Sequence, residues 1–536
     1  MKTNPAYLLI FVFSLLLQAC AGASATPAET PQADTAVLRV GALEDDYFYN
    51  PQDPGRVTVG LGRVNTNIFE TLTWMDADFQ LQPMLAESWE YIEERGAWHF
   101  HLRQEITFHD GQPLTAKAVV ETLNRIALSD SLRGIIKIDE NSAVAVDDYT
   151  VEITPTTPNL QLPGQMAHSI FGIRAPGSDP FKQQHIGTGP FRFVEYVPDD
   201  HITVEKNPDY WGTSPRVDRI EFSFMSDPDA RVAALSDQEV DIIYSVPLDA
   251  TERLSDAGDV RVLPSSVGAY QGLSVLLTGE YPYDITQDIL IREAIGYAID
   301  RRAIIDAAFD GFATASQTLI PASILGPNAE KVEGYVHDPE RARSLLEEAG
   351  WQDADGDGIR EKDGRTLTLE LIAGYPNATH NRRTPELIQA QLREVGIELR
   401  ISLVPDTLAY EDRLAEKQGD LWLEVGNQNN PSPCFLPGFL YYGKDANPNI
   451  WQSAFAPGPA SWPAFDDAID RCNTASSSTE AALHAASAMH ILIDQARTVI
   501  PLVGLYRIWF ASDKVQDFEP HPIFVMVRWN TVSITR

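Results

Sequence analysis

From Val37 onward, apolar and polar positions follow two alternating periods, and the switching between them lays out strands and helices. Leu38 and Val40 flank Arg39 at the start of a strand, and Trp98, Phe100 and Leu102 alternate with His99, His101 and Arg103 in another. Asp110-Gly111 predicts a turn, and Thr115 then predicts the N-cap of a helix with Val119, Val120, Leu123 and Ile126 on one face. The second half repeats this grammar with clearer punctuation. Asp338 precedes Pro339 at a helix start and Gly350 stands just past its end. Thr384 and Pro385 are expected to open a helix through Leu387, Ile388, Leu392 and Val395 that Gly396 stops. Ile397, Leu399, Ile401 and Leu403 then alternate with polar neighbours, as in a half-buried strand. Helix followed at once by strand, repeatedly, predicts mixed α/β lobes.

The N-terminus departs from this pattern. Lys2 is followed by an apolar run from Ala6 to Leu17 and then Leu17-Gln18-Ala19-Cys20. A basic head, about a dozen apolar residues and a small residue before the cut make a secretory signal, and the run is too short for a membrane span. Cleavage before a cysteine looks like the lipobox of bacterial lipoproteins. It implies a signal over residues 1–19, a lipid on Cys20 and a tether over 20–36, rich in Ala, Thr, Ser and Pro. The expected location is outside the cytoplasm, in the periplasm or at the cell surface, with the chain held to the membrane through Cys20.

Composition narrows the function classes. With 536 residues, 44% of them hydrophobic, the chain can bury a large core, and length alone allows about three domains. A formal net charge of -35 repels phosphates and argues against nucleic acid as a partner, while favouring a soluble monomer. Three cysteines occur; with Cys20 assigned to lipid, Cys434 and Cys472 remain, and an oxidising compartment invites their pairing, although spacing alone gives no distance between them. No Gly-x-Ser-x-Gly, no His-Glu-x-x-His and no phosphate-cradling glycine loop is present, so an exported hydrolase is the weaker alternative and no enzyme activity is expected.

Seven stretches, in order along the chain, together resemble the family 5 extracellular solute-binding proteins of ABC importers, the oligopeptide, dipeptide and nickel-binding group. They are Asn67-Ile68-Phe69-Glu70-Thr71-Leu72 with Leu81 to Trp89; Trp98 to Arg103 with Ile106 to Gly111 and Pro113 to Ala116; Gly187-Thr188-Gly189-Pro190-Phe191; Glu205 to Trp211; Val240-Asp241-Ile242; Ile291 to Ile295; and Ala298 to Arg301. The resemblance implies a two-lobed, periplasmic-binding-protein type II-like fold. The first lobe would take residues 37–269 and 503–536, with an extra subdomain over 57–184, and the second lobe 270–502. It implies capture of an extracytoplasmic solute between the lobes and delivery to the permease subunits of an importer. A receptor that presents its ligand to a sensor is the alternative partner. Most of the signature residues read as fold-bearing, and His99 and His101, two apart on one strand face, read as a solvated face rather than a metal site.

Peptide-binding members place an aspartate in the second lobe before a Pro-Asp-Pro-like turn. The corresponding stretch here is Gly426 to Pro433, which puts Asn429 at that position and favours a neutral or hydroxyl-rich ligand beside the peptide-like one that the family implies. The candidate ligand-binding residues are therefore Asn427, Asn429, Asn430, Trp422, Trp451 and Tyr270, with Trp462 as a further ring that could stack on a sugar. No cofactor is called for. The loop Asp353-Ala354-Asp355-Gly356-Asp357 through Glu361 has carboxylates at the spacing of half a calcium loop but Gly364 where the closing glutamate would stand. A structural calcium on Asp353, Asp355, Asp357 and Glu361 and a solvated acidic turn both stay open.

Overall fold

A computed structural model describes residues 35–43, 62–128, 138–178, 184–246, 249–256, 258–374, 383–405, 407–428, 431–444, 448–455, 463–523 and 525–535. Cys20, Asn429, Asn430 and Trp462 fall outside these residues. Eleven strands make the main sheet: β1 (Val37–Ala42), β2 (Phe191–Val197), β3 (His201–Lys206), β4 (Arg219–Phe224), β5 (Ile242–Tyr244), β6 (Val260–Val275), β7 (Ala313–Ala315), β8 (Thr368–Ala373), β9 (Glu398–Leu403), β10 (Leu421–Asn427) and β11 (Val499–Ser512). Their order is β9-β8-β10-β6-β11-β5-β1-β4-β3-β2, with β7 on the side against β11.

Two strands hold this sheet together. β6 and β11, of 16 and 14 residues, run antiparallel past each other from Val260↔Ser512 to Ser274↔Val499. One half of this ribbon pairs with β5 and the other half with β10. Between the halves the register shifts twice, at Pro264/Val267 and Val267/Ala269, and Pro264 cannot donate to the ladder. β11 reads Val-Ile-Pro-Leu-Val-Gly-Leu-Tyr-Arg-Ile-Trp-Phe-Ala-Ser, near-continuously apolar, because most of it is covered on both faces.

The packing follows the same division. One core is drawn from residues between Ala269 and Leu505, a second from Leu72 to Ala175, and a third from β1, β4 and β5 with Trp509 and Trp529. The second core lies under its own four-stranded sheet, in which Trp98 to Leu102 belong to Ala97–Leu102, and under helix Ala116–Ala127. This is the mixed α/β architecture the periodicity predicts. Thr115 and Asp338 stand at the predicted N-cap positions, and the Asp338 carboxylate accepts the Arg341 N–H at 2.9 Å. The Thr384 start is displaced: the helix spans Arg383–Glu394 and Thr384 is a fully buried residue inside it. Among the described residues no helix is long and apolar enough to cross a membrane.

The Asn67–Leu72 and Gly187–Trp211 signatures meet in one buried knot. Glu70 accepts hydrogen bonds from Thr188 Oγ1 (2.9 Å), Tyr210 OH (2.7 Å) and Trp211 Nε1 (2.7 Å). Burial pushes its carboxyl upward against the opposing pull of Arg528 and these donors. His99 and His101 each face a carboxylate, Glu152 at 2.8 Å and Glu90 at 3.3 Å, which accounts for both rings without a metal.

Candidate functional site

β1, β4 and β5 are parallel, as are β8, β9 and β10. Strand β5 advances from Ile242 to Tyr244 as its partners on β11 fall from Ala511 to Trp509, and β10 advances to Asn427 as its partners on β6 fall to Ala269. Both sets therefore aim their carboxyl ends at the same place, the shifted middle of the β6–β11 ribbon. Ligands of open α/β sheets bind at such ends.

At the Tyr244 end, Arg63 donates to Tyr244 OH at 2.6 Å and its guanidinium lies 4.1 Å from the centre of that ring. Arg231 braces the same turn by donating to the carbonyls of Tyr244, Met225, Ser226 and Ser245. At the Asn427 end, the Arg507 guanidinium donates to Asn427 Oδ1 and its backbone N–H donates to Ser265 Oγ at 2.9 Å. Burial, and then the proximity of Arg507 and Arg231, holds Arg63 well below the usual arginine range, and burial lowers Arg507 to about 10. Guanidiniums gathered where two strand ends meet suit an anionic or strongly accepting group. Sequence reasoning missed Arg63, Tyr244 and Arg507. The available signal was a single arginine set inside the apolar β11 run.

Beneath this junction lies a second polar cluster. Tyr270 OH and Tyr441 OH donate to Glu424 Oε2 at 3.3 and 3.2 Å, and Ser274 Oγ lies 2.7 Å from Tyr441 OH. Gly426 is required here, since a Cβ would stand 2.0 Å from the Tyr270 ring. Burial pushes the Glu424 carboxyl up to about 7, opposed by these donors, and no donor among the described residues reaches its Oε1. The folded chain thus keeps a proton between pH 4.5 and 7 that the unfolded chain has released. Its stabilisation is complete below about 4.5 and is lost as pH rises through about 7. Glu424→Gln is expected to flatten this part of the profile, worth about 3 kcal/mol, in urea unfolding at pH 5 and pH 8. Asp420, also raised to about 7 by burial, adds a slope of the same sign that remains in this variant.

The predicted ligand residues divide. Asn427 is at the junction. Trp422 is not: it is fully buried, edge-on to Tyr410 and Phe455, with its Nε1 donating to Gln418 O at 3.0 Å, because β10 turns that side chain under the helices. Tyr270 is equally a buried side chain, spent on Glu424 rather than presented to solvent. Trp451 is half-buried and stacked on Phe455 at 6.3 Å. Asp353, Asp355 and Glu361 bring carboxylate oxygens within 4.8 Å of one another, whereas Asp357 is outside that group and accepts the Ile359 N–H. Both Asp353 oxygens already accept loop amides, from Gly356 and Gly358. Cys434 and Cys472 are joined by a disulfide with Cα atoms 5.7 Å apart.

Residues 80–448 match the family model of bacterial extracellular solute-binding proteins, family 5, over more than half of the chain. The chain belongs to that family. Among family relatives, the nickel-binding periplasmic protein of Escherichia coli is 28% identical over 373 residues, 66% of this chain and 68% of its own. The glutathione-binding protein of Pectobacterium atrosepticum is 27% identical over 461 residues, 83% and 81% of the two chains. NikA from Brucella suis, solved in complex with Fe(III)-EDTA, superposes with a TM-score of 0.79 at 22% identity, covering 93% of this chain and 100% of its own. The family 5 fold is two-lobed and type II-like, and the extracytoplasmic location follows from membership.

Proposed function

We propose that this family 5 protein is the solute-binding component of an ABC importer, anchored by a lipid on Cys20, that closes two lobes on a small polar solute and delivers it to a permease. The observation that carries the reading is the convergence of two parallel strand sets, through Tyr244 and Asn427, on the shifted middle of the β6–β11 ribbon. Bulges in the two crossing strands supply a hinge, and ligand held between the lobes stabilises the closed form by its extra affinity for it. The lobes are the two halves of the ribbon with their cores, residues 37–269 with 503–536 and residues 270–502. The ligand is a peptide or a compound of comparable size, and the guanidiniums of Arg63 and Arg507 favour one that carries a carboxylate. Relatives named for peptides, glutathione and nickel support this range. A neutral oligosaccharide is the second reading, supported by Asn427 and the amide-rich loop that follows it.

Thermal-shift screening of the mature protein against short peptides, oligosaccharides and metal chelates tests this. A binder at about 100 times its dissociation constant adds about 2.7 kcal/mol of stability. A chain that no pool stabilises, and that leaves import unchanged when deleted, would refute the proposal. Cys20→Ala is expected to move the protein from the membrane fraction to the soluble exported fraction; retention on the membrane would end the anchor assignment.

A further inference from the structure

Residues 159–165 belong to the small core of Leu72 to Ala175, yet they touch the far half of the molecule. Leu160 N–H donates to Asn473 O at 2.8 Å and Gln161 Nε2 reaches Ala475 O at 3.4 Å. A Cβ on Gly164 would lie 3.1 Å from Pro431 Cγ, so the Gly164 backbone packs closely against the Pro431 ring. This segment is fixed from behind: Trp98 Nε1 donates to Asn159 O at 3.0 Å, while Asn159 accepts from Gln161 N at 2.9 Å and donates to Gln165 at 2.9 Å. The opposing segment is fixed as well. Gln428 N–H donates to Gly268 O at 3.0 Å, in the shifted middle of the ribbon, and Gln428 Nε2 donates to Ser432 O at 2.7 Å, next to Pro431. One glutamine, through its backbone N–H and its side chain, therefore links the hinge to the point where the two halves meet again.

We infer that residues 160–164 are a latch that shuts one flank of the cleft close to the hinge, and that the solute admitted is compact rather than an extended oligopeptide. The inference rests on the solute-binding reading above and adds to it a size limit and the segment that imposes it. An extended peptide leaving the junction on this flank meets backbone held to backbone, and passage costs it the Leu160–Asn473 hydrogen bond and the Gly164–Pro431 packing. A molecule of two or three residues, or a metal chelate of that size, lies inside the closed contour.

Two measurements on the mature protein test it: affinity for alanine peptides of two, three and nine residues, and hydrogen exchange at the Leu160 amide. The tripeptide is expected to bind at least about 30-fold more tightly than the nonapeptide, and Gln161→Ala with Pro431→Gly is expected to bring that ratio below about threefold. The Leu160 amide is expected to exchange at least about 100-fold more slowly than an open amide in peptide-saturated protein. A nonapeptide bound by the unaltered protein as tightly as the tripeptide overturns the size limit, and a Leu160 amide that exchanges freely overturns the latch. Should no peptide bind, the peptide reading of the ligand fails instead. Exchange at Leu160 in protein saturated with the oligosaccharide or metal chelate that the thermal-shift screen returns then decides the latch alone, with protection retaining it and free exchange removing it.

Discussion

Glu70→Ala is expected to destabilise the protein by about 3–5 kcal/mol, because it strips the shared acceptor from one buried and two partly buried donors at once. Thr188, Tyr210 and Trp211 would each keep a hydrogen-bonding group turned toward an empty space, and Arg528, which donates to Tyr210 OH at 3.0 Å, would lose the charge that Glu70 supplies nearby. Glu70→Gln keeps the volume and one acceptor and is expected to cost less, about 1–2 kcal/mol. Urea unfolding followed by tryptophan fluorescence reads both variants. A Glu70→Gln variant as stable as the parent beside a costly Glu70→Ala would show that the side chain acts through volume rather than through its hydrogen bonds.

Gly268→Ala is expected to cost about 3 kcal/mol or more and to weaken ligand binding beyond what the stability loss accounts for. A methyl group there would stand 2.0 Å from Pro522 O and 2.5 Å from the carbon that bears it, and backbone cannot rotate out of the way as a side-chain tip can. Gly268 also lies in the register-shifted part of β6 and accepts the Gln428 N–H, so displacing it moves the hinge together with the segment that faces residues 160–164. Calorimetric titration of a confirmed ligand at a temperature where both proteins are folded separates the two effects. An affinity unchanged in a variant of lowered stability would assign Gly268 to packing alone.

The fold was legible because its evidence is local and repeated. Periodicity, caps and turns each report on a few adjacent residues, and the ordered motifs tie them into one architecture. Asp338 illustrates this, since its cap and the Pro339 beside it need no tertiary information. The site was less legible because its parts come from distant segments. Arg63 sits just before the Asn67 motif and Arg507 far along β11, and only the antiparallel ribbon brings Arg507 to Asn427. Trp422 shows the converse: an aromatic beside a candidate binding loop reads as a stacking surface until strand alternation places it, with Glu424 and Gly426, on the face covered by helices. The Cys434–Cys472 bridge could not be read from spacing, because 38 residues of separation leave the Cα distance free until α-helical packing fixes it.

That bridge also sets an order of events in the life of the chain. Cys434 follows Pro431 and Ser432, while Cys472 precedes Asn473 and Ala475, so one covalent bond ties together the two stretches of chain against which residues 160–164 rest. Sulfur pairing of this kind belongs to compartments beyond the reducing cytosol. A newly made chain still inside the cell has both lobes encoded but its receiving surface in two unlinked pieces. The two pieces of that surface gain their covalent link only outside the cytosol.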